Sequence, residues 1–161
     1  SAVVSALAVS GLPTDRFTFE GFVPRKDGER RQLFESLRGE SRTMIFFESA
    51  HRIHDSLTVA AEFFTPDRQA SVSRELTKKF EHTERGSLAQ LIEWAAGEPK
   101  GEMVLVIAGA GERNTDPKLL VADVLRLVQE GQRLKDAVAD IAEAHAVSKS
   151  VLYQLAIEAK R

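Results

Sequence analysis

Ten consecutive residues, Ser73-Arg74-Glu75-Leu76-Thr77-Lys78-Lys79-Phe80-Glu81-His82, concentrate the groups able to do chemistry in this chain. Arg74, Lys78 and Lys79 offer positive field and hydrogen-bond donors, and Glu75 and Glu81 offer carboxylates that could take a proton or hold a base in place. Thr77 adds a hydroxyl and His82 an imidazole, with Leu76 and Phe80 as the apolar residues. Charges of alternating sign can hold one another and present oriented donors and acceptors to a ligand. A solvated edge strand, charged to deter pairing with other chains, accounts for the same residues. The stretch follows a strand predicted over Gln69 to Val72 and ends near a turn residue, Gly86.

A second cluster, Glu48-Ser49-Ala50-His51-Arg52, follows a continuous apolar run from Thr43 to Phe47, read as a strand central in its sheet. The next helix turns Ile53, Leu57, Ala60 and Phe64 inward, so Glu48 and Ser49 lie where a strand gives way to a helix. Open α/β sheets hold ligands at that place, although Ser49 could be no more than a helix N-cap. His51 and His54 are three apart, but without a third ligand they do not make a zinc site, and no metal is expected. The most basic segment holds Arg25, Lys26, Arg30, Arg31 and Arg38 against Asp27, Glu29 and Glu35. Taken alone it reads as a solvated turn around Gly28 that leads into a helix burying Leu33, Phe34 and Leu37.

The elements that must position these groups follow in order. Ser1 to Ser10 is a small-residue apolar helix stopped by Gly11 and Pro13, and Phe17, Phe19 and Phe22 mark a strand. Ser87 caps a helix with Leu88, Leu91, Ile92 and Ala95 inward, and Met103 to Ala108 is a second fully apolar strand. Gly109-Ala110-Gly111 is too short for a dinucleotide fingerprint. Composition shifts near Asn114, and from Pro117 only helical patterns remain: Leu120, Val124 and Val128; Leu134, Val138 and Ile141; then, after a Ser148 cap, Val151, Leu152 and Leu155. The last two helices have helix-turn-helix proportions, but only Lys149 supplies a cation where a reading helix would begin, so a packing hairpin is favoured.

The 161 residues allow one sizeable core plus an appendage, and the net charge of −2 argues against nucleic-acid binding driven by bulk charge while leaving room for a local basic patch. The absence of cysteine excludes disulfides and thiolate metal sites and makes a reducing, cytoplasmic setting the simplest reading. No apolar run approaches the roughly 20 residues that span a bilayer, so no membrane partner is expected. The opening Ser1 to Ser10 lacks a charged leader and reads as a helix already under way, as in a piece of a longer protein.

Five segments occur in a recognisable order: Ser-Ala-Val-Val-Ser-Ala-Leu-Ala-Val-Ser-Gly-Leu-Pro (1–13), Phe-Phe-Glu-Ser-Ala-His-Arg (46–52), Ser-Arg-Glu-Leu-Thr-Lys-Lys-Phe-Glu (73–81), Arg-Gly-Ser-Leu (85–88) and Lys-Gly-Glu-Met-Val-Leu-Val-Ile (100–107). Together they resemble the C-terminal part of the bacterial small-subunit ribosomal RNA 2′-O-ribose cytidine methyltransferases, a branch of the tetrapyrrole methylase superfamily. The resemblance covers residues 1–110, and the tail resembles that branch's C-terminal extension more loosely. It implies an α/β fold, with residues 1–112 as the second domain of the enzyme, a mixed sheet flanked by helices, and 113–161 as a helical extension. The cofactor implied is S-adenosylmethionine, held in a cleft against an N-terminal domain that this chain does not include. Where the family usually has Pro, this chain has Ala50.

By resemblance, Ser1 and Ala2, the strand end Phe47-Glu48-Ser49, and Gly101-Glu102-Met103 border the cofactor. Arg74, Thr77, Lys78 and Glu81, with Arg52, Arg25 and Arg30, face the substrate, small-subunit ribosomal RNA. Lys79 and Glu75 are the residues expected to serve catalysis, since a ribose hydroxyl needs a base or a field that stabilises the developing alkoxide. The family's shared clefts also point to a homodimer, which nothing in the chain itself requires. Two other readings stand beside this one: a methyltransferase acting on a small tetrapyrrole, and, for the piece in hand, a non-catalytic RNA-binding or dimerisation module.

Overall fold

In the computed structural model, which describes residues 1–111 and 116–161, the chain divides into two units, Ser1–Gly111 and Glu112–Arg161. The first unit runs α1 (Ala2–Val9), β1 (Phe17–Phe22), α2 (Asp27–Ser36), β2 (Thr43–Ser49), α3 (Ile53–Phe64), β3 (Gln69–Arg74), β4 (His82–Ser87), α4 (Leu88–Ala95) and β5 (Glu102–Ile107). Its strands form one sheet in the order β1-β2-β5-β3-β4. Only β1 and β2 are parallel, so the sheet is mixed.

The apolar runs of β2 and β5 do not alternate because both of their faces are covered. On one face Met44, Phe46, Val72, Met103, Leu105 and Ile107 meet Phe34 of α2, Ile53, Leu57 and Phe64 of α3, and Leu88 and Leu91 of α4. On the other face Ile45, Val104 and Val106 pack against Ala6 and Leu7 of α1, with Phe47 and Leu76 joining them. The small residues of α1 thus serve close packing on the sheet. The predicted centre of the sheet shifts by one strand, because β5 occupies the middle and β2 lies beside it.

Three local expectations change. The charged stretch is the tip of a hairpin, loop and strand ends together: β3 ends at Arg74, residues 75–81 form the loop, and β4 begins at His82. Gly86 lies inside β4 instead of at a turn, and Gly28 lies in the first turn of α2. Gly109 has a packing reason. A side chain there would overlap the Ser41 carbonyl, where the chain passes close enough for the Ala110 N–H to donate to the Glu40 carbonyl at 2.7 Å.

The second unit contains α5 (Pro117–Gln129), α6 (Leu134–His145) and α7 (Lys149–Lys160). Asp116 caps α5 ahead of Pro117, and the Ser148 hydroxyl caps α7 by accepting from the Val151 N–H. Leu120 and Val124 share a core with Ala137, Val138, Ala142, Leu152 and Ala156. Of the apolar residues on α7, Val151 is exposed, and Leu152 and Ala156 carry the buried face. The compositional shift near Asn114 lies outside the described residues. Among the described residues, no helix is long and apolar enough to cross a membrane.

Candidate functional site

Strand register assembles the site. In the β2–β5 pair, Glu48 stands opposite Met103 and Ser49 opposite Glu102, while in the β3–β5 pair Arg74 also stands opposite Met103. Segments 47–49, 74–81 and 101–103, far apart in sequence, therefore meet at one end of the sheet. The hairpin is fastened there: the Glu75 N–H donates to the Glu102 carbonyl at 3.1 Å, and the Glu102 N–H donates to Glu75 Oε1 at 3.1 Å.

Glu75 is consequently a latch. Its carboxylate also meets Lys78 Nζ at 3.2 Å, and Lys78 lies 3.7 Å from the Glu102 carboxylate. The Lys78 contact and the Glu102 N–H hold the Glu75 carboxyl below the usual carboxylate range, and Glu75 in turn raises Lys78. A carboxylate held ionised in this way is a weak base. Gly101 makes the latch possible, since its φ of +104° suits glycine and a side chain there would overlap the Glu75 carboxylate. Glu75 and Thr77 themselves adopt positive φ, and Glu81 steadies the loop by accepting from the Thr77 N–H at 2.8 Å. Lys79 is exposed, its ammonium 5.7 Å from the Phe80 ring centroid, and among the described residues no carboxylate pairs with it.

Glu48 behaves differently from an exposed ligand. Its side chain is wholly buried, accepting from the Ser56 hydroxyl at 2.6 Å, from its neighbour's Ser49 N–H at 2.8 Å and from Arg52 Nε at 3.3 Å. Ser56 in turn accepts from Arg30 at 3.2 Å. A buried carboxylate is tolerable because it is paired and hydrogen-bonded. Arg30, expected to face the substrate, is only 8% exposed and gives its guanidinium to Ser56 and Asp27, so it supports the strand end from behind. Arg25 remains exposed ahead of α2, and Arg52 is tied to Glu48. Ser1 and Ala2 are exposed at the start of α1, where Ser1 makes no side-chain cap. Ser49 Oγ is buried and has no hydrogen-bond partner among the described residues. Ser56 was a residue that sequence reasoning missed; a lone hydroxyl on the buried face of α3, between Ile53 and Leu57, was its signal.

Comparison with known proteins follows the same outline. The family model for Tetrapyrrole (Corrin/Porphyrin) Methylases matches residues 1–92. The chain is 43% identical, over its whole length, to the protein named Ribosomal RNA small subunit methyltransferase I from Mycobacterium tuberculosis (strain CDC 1551 / Oshkosh), covering 56% of it. It is 40% identical over 98% of its length to the protein of the same name from Escherichia coli O157:H7, again covering 56%. The chain thus spans little more than half the length of these curated relatives. Among solved structures, that of the methyltransferase CobJ superposes with a TM-score of 0.54 at 18% identity, covering 73% of this chain and 51% of CobJ, which is a likeness of fold. The family model matches more than half of the chain and the relatives are more than 30% identical over nearly all of it: the chain belongs to the tetrapyrrole (corrin/porphyrin) methylase family.

Proposed function

We propose that the full-length protein transfers a methyl group from S-adenosylmethionine to a cytidine ribose 2′-hydroxyl of small-subunit ribosomal RNA in the cytoplasm, and that this chain supplies the half of the site bearing the charged hairpin. The observation that carries the reading is the meeting of segments 47–49, 74–81 and 101–103 at one sheet end, in a chain 43% identical to a protein named for ribosomal RNA methylation.

S-adenosylmethionine, when bound, supplies an electrophilic methyl group. The partnerless buried hydroxyl of Ser49 fits such a ligand, because a buried polar atom without a partner is otherwise a cost. With it, the main chain of Phe47 and Glu48, Gly101 to Met103, and Ser1 and Ala2 would border the cofactor. Lys79 is the group best placed to stabilise a developing alkoxide, being an exposed cation on the loop with which, among the described residues, no carboxylate pairs. Glu75 serves by latching the loop; Lys78 and Glu81 keep its shape. Arg74, Thr77 and Arg25 remain the substrate-facing set, with Arg52 holding Glu48. An N-terminal domain to complete the cleft, and a homodimer, belong to the same proposal.

The test is single-turnover methyl transfer to small-subunit RNA by the full-length protein. Lys79→Ala should slow transfer by about 100-fold, in the range of losing one alkoxide-stabilising donor, and Glu75→Gln should slow it less. Wild-type rates in both variants would sink the catalytic assignment. Transfer to a tetrapyrrole but not to RNA would replace the substrate.

A further inference from the structure

On the helix-covered face of the sheet, running on from Arg74 of the segments just described, lies a groove of about 510 Å³ lined by Arg74, His82, Trp94, Gly97, Glu98, Pro99 and Lys100. That volume falls in the range of small-ligand sites, about 300–1,000 Å³. The strand pairing sets Arg74 opposite His82, and the His82 ring lies 6.3 Å from the Trp94 ring, tilted by 31°. Arg74 Nη1 reaches the Lys100 carbonyl at 3.4 Å, which aims the guanidinium along the groove. Two cations thus flank a partly buried indole and an imidazole.

Two acids lie nearby. Glu84 is engaged by His82 at 2.7 Å, and Glu98 lies on the turn that forms one wall, one acid against the two cations Arg74 and Lys100. The last carbonyls of α4, which would repel an anion, already accept from the N–H groups of Ala96, Gly97 and Glu98. Past the Glu98–Lys100 wall a second hollow, of about 610 Å³, continues the groove to His51 and His54 at the opening turn of α3, the positive end of that helix.

Aromatic faces interleaved with cations are the chemistry that holds unstacked bases and their phosphates. We propose that this groove is a subsite for single-stranded RNA, taking one splayed base against Trp94 and His82 and the adjoining phosphates on Arg74 and Lys100. The inference rests on the ribosomal RNA reading and adds to it a place where a nucleotide flanking the target is gripped.

Trp94 is the sole tryptophan of the chain, so its fluorescence reports on this groove alone. The chain is titrated with a six-nucleotide single-stranded RNA carrying a fluorescent label, binding being followed by label anisotropy and by Trp94 emission together. Saturable quenching of Trp94 that tracks anisotropy, absent with duplex RNA of the same length, is the expected result. Trp94→Leu should weaken binding about 5- to 150-fold, the range for losing one stacked base. Trp94→Phe should retain most of the affinity. Arg74→Ser, which leaves the ring in place, should weaken binding and flatten its salt dependence. RNA bound with Trp94 emission unchanged would overturn the subsite while leaving ribosomal RNA as the substrate. Equal quenching by an acidic peptide would reassign the groove to a protein partner and overturn it too. Failure of the full-length protein to methylate RNA would remove the broader reading on which it stands.

Discussion

The Ser56 hydroxyl donates to the buried Glu48 carboxylate at 2.6 Å, joining the inner face of α3 to the end of β2. A hydrogen bond to a charged group contributes about 1.5–3 kcal/mol. Ser56→Ala should lower stability by about that amount in urea unfolding followed by Trp94 emission. Arg30 loses Ser56 and keeps Asp27 in the same variant, so Arg30→Met combined with Ser56→Ala should cost less than the sum of the two single changes.

Ser49 predicts the opposite pattern. Its hydroxyl is buried without a partner, so Ser49→Ala removes a polar group that folding leaves unsatisfied. Stability should stay level or rise slightly. In the full-length protein the same change should weaken S-adenosylmethionine binding by about 0.5–1.5 kcal/mol, the worth of one neutral hydrogen bond, read by calorimetry.

What could be read from the chain differed by element for physical reasons. β2 and β5 announced themselves because interior strands with two covered faces must be apolar along their whole length. β4, His-Thr-Glu-Arg-Gly-Ser, carried no such signal: it is an edge strand held by main-chain pairing to β3, and its side chains meet solvent as much as protein. The charged stretch therefore shows its chemistry in sequence and hides its hairpin. Arg30 looked like a phosphate contact because charge is visible in sequence and burial is not; only the packing of α2 on α3 turns it inward toward Ser56. The groove at Trp94 joins a strand, a helix end and a turn, a conjunction that no local pattern announces.

The Glu75 latch sets a pH window. The Glu75 carboxyl is held below its ordinary value of 4.5 and Lys78 above its ordinary 10.5. Glu75's contribution is present above the unfolded carboxyl value and is lost as pH falls through its depressed folded value. Lys78's is present below the unfolded ammonium value and is lost as pH rises through its elevated one. The Glu75 carboxyl resonance should titrate below an unfolded glutamate in NMR. Lys78→Ala should move it back upward, and a titration unchanged by that variant would show that the contact is absent in solution.

Two glycines should respond in opposite directions to the same substitution. Gly109→Ala drives a methyl group into the Ser41 carbonyl, which belongs to backbone and cannot swing away; destabilisation of about 1–3 kcal/mol is expected. Gly28→Ala places its methyl in open space within α2 and should stabilise by about 0.5–1 kcal/mol. Thermal unfolding of both variants checks the contrast.

The fastening of the charged hairpin has a consequence for how this protein could diversify. Its root is secured by the Glu75 and Glu102 N–H groups and by the vacant side-chain position at Gly101, while Lys79 and Phe80 stand free of that attachment. A root fixed by main chain and by the Glu75–Lys78 contact lets the tip beyond it be rewritten without unfolding the base. The tip is thus a replaceable cassette, and grafting a different tip between Lys78 and Glu81 is a route to new substrates on an unchanged scaffold.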